Sequence, residues 1–279
     1  MDEVDRMVVA GRLPPGVTSM VGYQSAPDPG GVHRGLPSSK LVFIVSRDDG
    51  VCTDGLPPNP VVLGGMHTEA STVLTPVAQA GVQLAVHPLA SRAVFGLPTS
   101  DIVSSTFSGL DQLGSRAARL HQRMTETSDW SESFDLLHAD LVAAWNPDLL
   151  PRPEIVRAWR LLERGWSVAS TAREVGFSER RLQTLFRAEF GCSPRTVAQL
   201  MRFERATALI RRSIMDGAQG FLADVAARAG YADQPHLTRE FRRFAGLAPT
   251  AWMREEGWLH GEFANVQAAE AVDGELSRA

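Results

Sequence analysis

GFSERRLQTLFRAEFGCSP, residues 176–194, has two faces. Leu182, Leu185, Phe186 and Phe190 recur at i, i+3, i+4 and i+8, the spacing of a buried helical stripe. Arg180, Gln183, Thr184 and Arg187 fall at i, i+3, i+4 and i+7 on the opposite side, a row rich in hydrogen-bond donors. Ser178 is placed to cap this helix, and Glu179 puts a negative charge in its first turn, where the helix dipole favours one. Upstream, SVASTAREV (167–175) reads as a short helix capped by Ser167 and ended by Gly176, which takes a left-handed backbone without steric cost. Ala172 is small, so the two helices can cross closely. A short helix, a tight glycine turn and a second helix with an outward donor face make a helix-turn-helix.

The same parts return downstream. LADVAARAG (222–230) places Ala226 and Gly230 where Ala172 and Gly176 stood, a shift of 54, while Phe241, Gly246 and Pro249 match Phe186, Gly191 and Pro194 at a shift of 55. The second turn has therefore gained one residue. Asp233 is the expected cap, and Pro235 sits in the first turn, where its missing N–H breaks no helical bond. Leu237, Phe241 and Phe244 form the inner stripe; Pro235, Thr238, Arg239 and Arg242 take the outward places. Between the copies, TVAQLMRFERATALIRR (196–212) reads as a helix with Val197, Leu200, Met201, Ala208 and Leu209 available for burial. Its length of roughly 26 Å, with the width of the flanking helices added, approaches the ~34 Å repeat of a DNA duplex.

Charge divides the chain in the same place. The total is −4, but residues 1–150 carry 9 Lys+Arg against 16 Asp+Glu, whereas residues 151–260 carry 18 Arg against 12 Asp+Glu. A basic half joined to an acidic half is the pattern expected when one part meets a polyanion. Arg and Gln match guanine and adenine edges, and Thr can touch a thymine methyl. Arg181, Arg242 and Arg243 suit phosphates.

The first hundred residues are punctuated by Gly and Pro. LVFIVS (41–46), VVLGGM (61–66) and VQLAVH (82–87) are strand candidates. The first has no alternation, which predicts burial on both faces. In the last, Val82, Leu84 and Val86 share one face, and Gln83, Ala85 and His87 the other. Short strands with such punctuation predict a small barrel or sandwich. Residues 109–145 then carry two amphipathic helices, broken near Thr127–Asp129, and the prolines of NPDLLPRP (146–153) mark a linker. The tail from 257 to 279 is polar and is expected to be loosely ordered. Cys52 and Cys192 form no C-x-x-C pair, which argues against a disulfide framework or a cysteine zinc site. No apolar run reaches the ~18–20 residues of a membrane span. The start is too acidic for a signal peptide, so a bacterial cytoplasm is the expected compartment.

Residues 153–255 resemble the C-terminal DNA-binding domain of the AraC/XylS family of bacterial transcription regulators. The resemblance is carried by A-x-x-x-G-F-S at 172–178, L-x-x-x-F at 182–186, G-x-S-P at 191–194, R-F-E-R-A at 202–206, A-x-x-x-G-Y at 226–231, DQPHLTREFRRFAG at 233–246 and P-T-x-W at 249–252. It implies seven helices holding two helix-turn-helix units on a central linker helix. It also implies contacts to double-stranded DNA from Arg180, Gln183 and Thr184 in the first unit, with Arg187 beside them, and from Gln234, His236, Thr238 and Arg239 in the second. Pro235 stands where many relatives keep a polar side chain. HRGLPSS (33–39) and GVQLAVHPLA (81–90) are similar to stretches in the regulatory halves of some members, where a cupin-like barrel senses a small molecule and a helical pair dimerises.

The expected architecture is thus α+β. A cupin-like β-barrel with a helical hairpin forms a regulatory and dimerisation domain over residues 1–145, a linker spans 146–153, and an all-α reading domain spans 154–256. The expected partners are double-stranded DNA, a small-molecule effector, a second copy through the N-terminal half, and RNA polymerase. No catalytic residue, metal or cofactor is expected. The competing class is a metal-binding cupin-type enzyme using the helices for targeting. His67 and Glu69 at alternate positions would be its ligands, but no third ligand is spaced to join them.

Overall fold

The computed structural model describes residues 6–28, 32–53, 57–74, 77–102, 108–127 and 129–255. The 257–279 tail, expected to be loosely ordered, lies outside the described residues. Among the described residues eight strands come first: β1 (Arg6–Val9), β2 (Val17–Ser25), β3 (Val32–Gly35), β4 (Leu41–Ser46), β5 (Cys52–Thr53), β6 (Val61–Gly64), β7 (Ser71–Leu74) and β8 (Gln79–Val86). They form two antiparallel sheets, β1-β2-β8-β4-β6 and β3-β7-β5. Three candidate strands read from the sequence are thus β4, β6 and β8, at the centre and one edge of the larger sheet.

Helices α1 (Ser91–Phe95), α2 (Gly109–Leu113), α3 (Ser115–Thr125) and α4 (Trp130–Ala144) follow. The stripe Ala117, Leu120 and Met124 of α3 and Leu137 and Leu141 of α4 packs on one face of the larger sheet, against Phe43, Val45, Leu84 and Val86. The other face meets the smaller sheet, where Ile44 and Val62 pack with Val51 and Val73. β4 therefore needs apolar residues on both sides, which is why LVFIVS does not alternate. β8 divides its residues as its alternation predicts: Val82, Leu84 and Val86 are fully buried in the helix-side core. Gln83 and Ala85 line a cavity of about 110 Å³ between the sheets.

The helical stretch departs from the sequence reading in one respect. A second break, at Gly114, separates α2 from α3, with φ 53° and ψ −129°. Leu110 of α2 is turned outward at 36 % exposure.

From Pro153 the chain is helical, with α5 (Pro153–Glu163), α6 (Val168–Glu174), α7 (Glu179–Phe190), α8 (Pro194–Met215), α9 (Leu222–Ala229), α10 (Gln234–Ala245) and α11 (Pro249–Glu255). α8 is longer than the expected 196–212. Ser193 caps its start by accepting from Thr196 N–H, and Pro194 takes the first helical position, where no N–H is needed. Its buried face also differs from the expected one: Ala208 and Leu209 are half-buried, while Phe203, Ala206 and Ile210 go inside. The reason is that α8 serves two cores. Val197 and Met201 join α5, α6 and α7, and Leu200, Phe203, Ala206 and Ile210 join α9, α10 and α11.

The sheet-helix packing allows a direct test. A Cβ built at Gly22 of β2 would lie 2.5 Å from a Trp130 ring carbon of α4, a ring that also carries the Arg47 guanidinium at 4.7 Å. Gly22→Ala is expected to cost about 1–3 kcal/mol through overpacking, read as a lowered urea midpoint. Gly11→Ala, whose Cβ meets nothing within 4 Å, should stay within about 0.5 kcal/mol.

Candidate nucleic-acid interface

Both helix-turn-helix units use one piece of backbone chemistry. At the end of α6 Gly176 has φ 75° and Phe177 N–H donates to Ala172 carbonyl at 2.8 Å; at the end of α9 Gly230 has φ 87° and Tyr231 N–H donates to Ala226 carbonyl at 2.8 Å. These bonds reverse the chain and satisfy carbonyls that would otherwise lack partners. The next helices then start on side-chain caps. Ser178 Oγ accepts from Arg181 N–H at 3.2 Å, and Asp233 Oδ1 accepts from His236 N–H at 2.7 Å. Two residues, Tyr231 and Ala232, separate Gly230 from its cap where Phe177 alone separates Gly176 from Ser178, which is the extra residue of the second turn.

The inner stripes are buried as their spacing requires. Leu182, Phe186 and Phe190 pack with Trp159 and Ile155, and Leu237, Phe241 and Phe244 pack with Phe203 and Trp252. With those faces committed, the opposite faces turn to solvent. Arg180, Arg181, Thr184 and Arg187 on α7 and Gln234, Arg239, Arg242 and Arg243 on α10 are exposed, while Gln183, Thr238 and His236 are partly covered. Three of these side chains have local partners. Thr184 Oγ1 donates to Arg180 carbonyl at 3.0 Å, which leaves its methyl outward. His236 packs edge-on against Tyr231 at 5.2 Å, with Nδ1 3.5 Å from Ala232 N. Arg243 Nη1 donates to Gln199 Oε1 at 3.3 Å. The two helices thus hold out two unlike rows of donors, each starting from an exposed helix N-terminus, where partial positive charge favours phosphate.

Glutamates of the helical half dock on the N-terminal half, a feature the sequence reading missed. Arg92 Nε donates to both carboxylate oxygens of Glu189, near the end of α7, at 2.9 and 3.1 Å, and Ser100 Oγ donates to Ala188 carbonyl at 2.9 Å. Glu204 of α8 accepts from Ser38 Oγ at 2.5 Å, from Ser39 N–H at 2.7 Å and from Ser39 Oγ. Arg34 pairs with Glu255 of α11 at 2.8 Å. Glu163 of α5 accepts from Trp159 Nε1 at 3.1 Å and faces His87 Nε2 at 3.6 Å. Burial raises the Glu163 pKa, but the bonds from His87 and Trp159 and the Lys40 charge outweigh it and hold the carboxyl below its usual range. That contact is therefore fully formed above the ordinary carboxylate pKa and weakens as pH falls through the lowered one. Leu36, Met66 and Leu89 add apolar contact with the helical cores.

The remaining candidates are distributed as follows. His33 and His67 line the cavity between the sheets. His67 Nδ1 is 3.3 Å from Gly65 carbonyl, and burial lowers its pKa despite that bond. Among the described residues no group of three or more His, Cys, Asp or Glu is placed to hold a metal ion. His87 Nδ1 accepts from Leu89 N–H at 3.1 Å and so caps a short turn. Cys192 is buried enough that its thiol is pushed up to about 12, the opposite of a reactive cysteine. Among the described residues no helix is long and apolar enough to cross a membrane.

Loss of a cap should loosen one reading unit alone. Ser178→Ala and Asp233→Ala are each expected to cost ~0.5–2 kcal/mol, with faster amide exchange confined to α7 or α10 respectively.

Comparison with known proteins falls on the same segment. Residues 171–255 match a family model described as a helix-turn-helix domain. The virulence regulon transcriptional activator VirF of Yersinia enterocolitica is 30% identical over 87 residues, covering 31% of this chain and 30% of that protein. The thermoregulatory protein LcrF of Yersinia pestis matches to the same extent. The match thus spans only 30% of the length of these curated relatives. Among solved structures, ToxT of Vibrio cholerae with an unsaturated fatty acid bound aligns over 91% of this chain and 100% of its own, at 10% identity and a TM-score of 0.47. The matched segment, residues 171–255, holds α7 and α10, the second helices of both units.

Proposed function

We propose that the protein is a sequence-specific DNA-binding transcription regulator, with residues 154–256 as its reading domain and residues 1–145 as its regulatory domain. The observation that carries the reading is the pair of capped helices α7 and α10, which bury one face and hold Arg180, Thr184 and Arg187, and Gln234, Arg239 and Arg242, in solvent. The intervening α8 has 22 residues, about 33 Å of helix, comparable with the ~34 Å of one duplex turn. Both heads can then enter successive major-groove segments on one side of the DNA. Base edges are read by Arg180, Gln183, Thr184 and Arg187 in one segment and by Gln234, His236, Thr238 and Arg239 in the other. Arg181, Arg242 and Arg243 hold phosphates. Because the two rows differ, the site read by one chain is asymmetric.

Regulation is assigned to the cavity between the sheets. Its wall combines Ile44, Leu84 and other apolar residues with His33, Lys40 and Gln83, which suits a small ligand with an apolar body and one acceptor group. Ser38 and Lys40 belong to that wall, and Ser38 and Ser39 grip Glu204 of α8. A ligand that prefers one arrangement of residues 38–40 therefore biases how the reading domain is held, by population shift. Self-association through α3 and α4 and contact with RNA polymerase belong to the same reading. The outward residues Arg119, Arg123, Glu132 and Asp135 are charged, so such contacts would be polar.

Binding-site selection from random DNA tests the proposal. Arg180→Ala and Arg239→Ala should each relax preference by ~1–3 kcal/mol, at different base positions about one helical turn apart. Unchanged preference in both variants would overturn the assignment of the heads.

A further inference from the structure

The two reading helices are not held in the same way. At the repeat position where α7 has Leu185, α10 has Glu240, a shift of 55. Leu185 is partly buried in its apolar core, whereas Glu240 is a carboxylate at 6 % exposure, one residue after Arg239. Its partner lies on the linker helix. Arg202 Nε donates to Oε1 at 3.1 Å and Nη2 to Oε2 at 2.7 Å, a two-pronged fork, and Gln199 Nε2 adds a bond at 3.4 Å. The same Arg202 guanidinium lies 4.7 Å over the ring of Tyr231, the residue that follows the glycine of the second turn. One side chain of α8 thus grips both the turn and the reading helix of the second unit.

Apolar packing is non-directional, so Leu237, Phe241 and Phe244 turn the inner face of α10 toward α8 but set its roll only coarsely. A planar guanidinium forked onto a carboxylate does fix it, because both bonds need one relative orientation. Such a pair is weak as a source of stability, since both ions must give up water. We propose that Arg202 and Glu240 are positioning residues for DNA specificity: their fork sets the roll of α10 on α8, and with it the angle and spacing between the two heads. The first head packs on α8 through its apolar core, and its reading helix α7 carries its ion pair, Glu189 with Arg92, on the N-terminal half instead. The inference rests on the DNA-reading function proposed above.

The test uses the full chain in two variants, Glu240→Gln and the apolar double replacement Arg202→Met with Glu240→Leu. The double variant is expected to melt at or above the temperature of the parent. In selection from random DNA, preference at the second half-site should fall by roughly tenfold in both variants, with the first half-site unchanged. Tolerance of a one-base-pair spacer insertion should also rise. In the DNA-free protein, residual dipolar couplings should show the α10 orientation relative to α8 shifted or averaged in the double variant, while α7 keeps its own. Parental preference at both half-sites, equal loss at both, or parental couplings on α10 would overturn the proposal. If the parent selects no sequence at all, the DNA-reading function fails, and the couplings still decide the clamp.

Discussion

A single helix has to satisfy two hydrophobic cores at once. Residues at 197 and 201 of α8 belong to the first unit and residues at 200, 203, 206 and 210 to the second. Since both cores close on the same rod, neither unit can move along or around α8 without exposing aromatic side chains to water. Burying a Phe or Leu side chain is worth about 1.5–3 kcal/mol, so the two units are held as a pair. The donor faces of α7 and α10 are what remains once those stripes are committed.

The N-terminal half attaches to this rod and its neighbours through glutamates of the helical half as well as through the apolar Leu36, Met66 and Leu89. The opposite net charges of the two halves predict carboxylates of the acidic half facing arginines of the basic half. The contacts run the other way: Glu163, Glu189, Glu204 and Glu255 of the basic half meet His87, Arg92, Ser38 with Ser39, and Arg34. The effect is to use up glutamates of the helical half at the joint and leave its outward arginines without them.

Much of this was legible in the residues. The stripe 182, 186 and 190, the caps Ser178 and Asp233, and Gly176 and Gly230 all act as their local chemistry dictates, because caps and glycine turns are settled within a few residues. The lack of alternation in LVFIVS correctly announced a strand covered on both faces. The break at Gly114 was not read, since a glycine between two apolar periods is equally compatible with a continuous helix. Glu189, Glu204 and Glu240 were given no role from the sequence. Glu240 alone left a trace, a carboxylate where the repeat has Leu185, but its meaning depends on an arginine 38 positions away.

The sequence by itself determined that the chain is helical from Pro153, where three of the eight described strands lie, that one helix-turn-helix is repeated with a single inserted residue, and which arginines face away from the apolar stripes. These follow from periodicity and from local capping, whose range is one or two turns. Tertiary structure alone decided that α8 extends from 194 to 215 and serves two cores, that the sheets enclose a cavity beside the loop holding Glu204, and that an ion pair ties the second reading helix to α8 and the first to the N-terminal half. Those facts depend on groups far apart in the chain meeting at hydrogen-bond distance, and no spacing along the sequence encodes such a meeting.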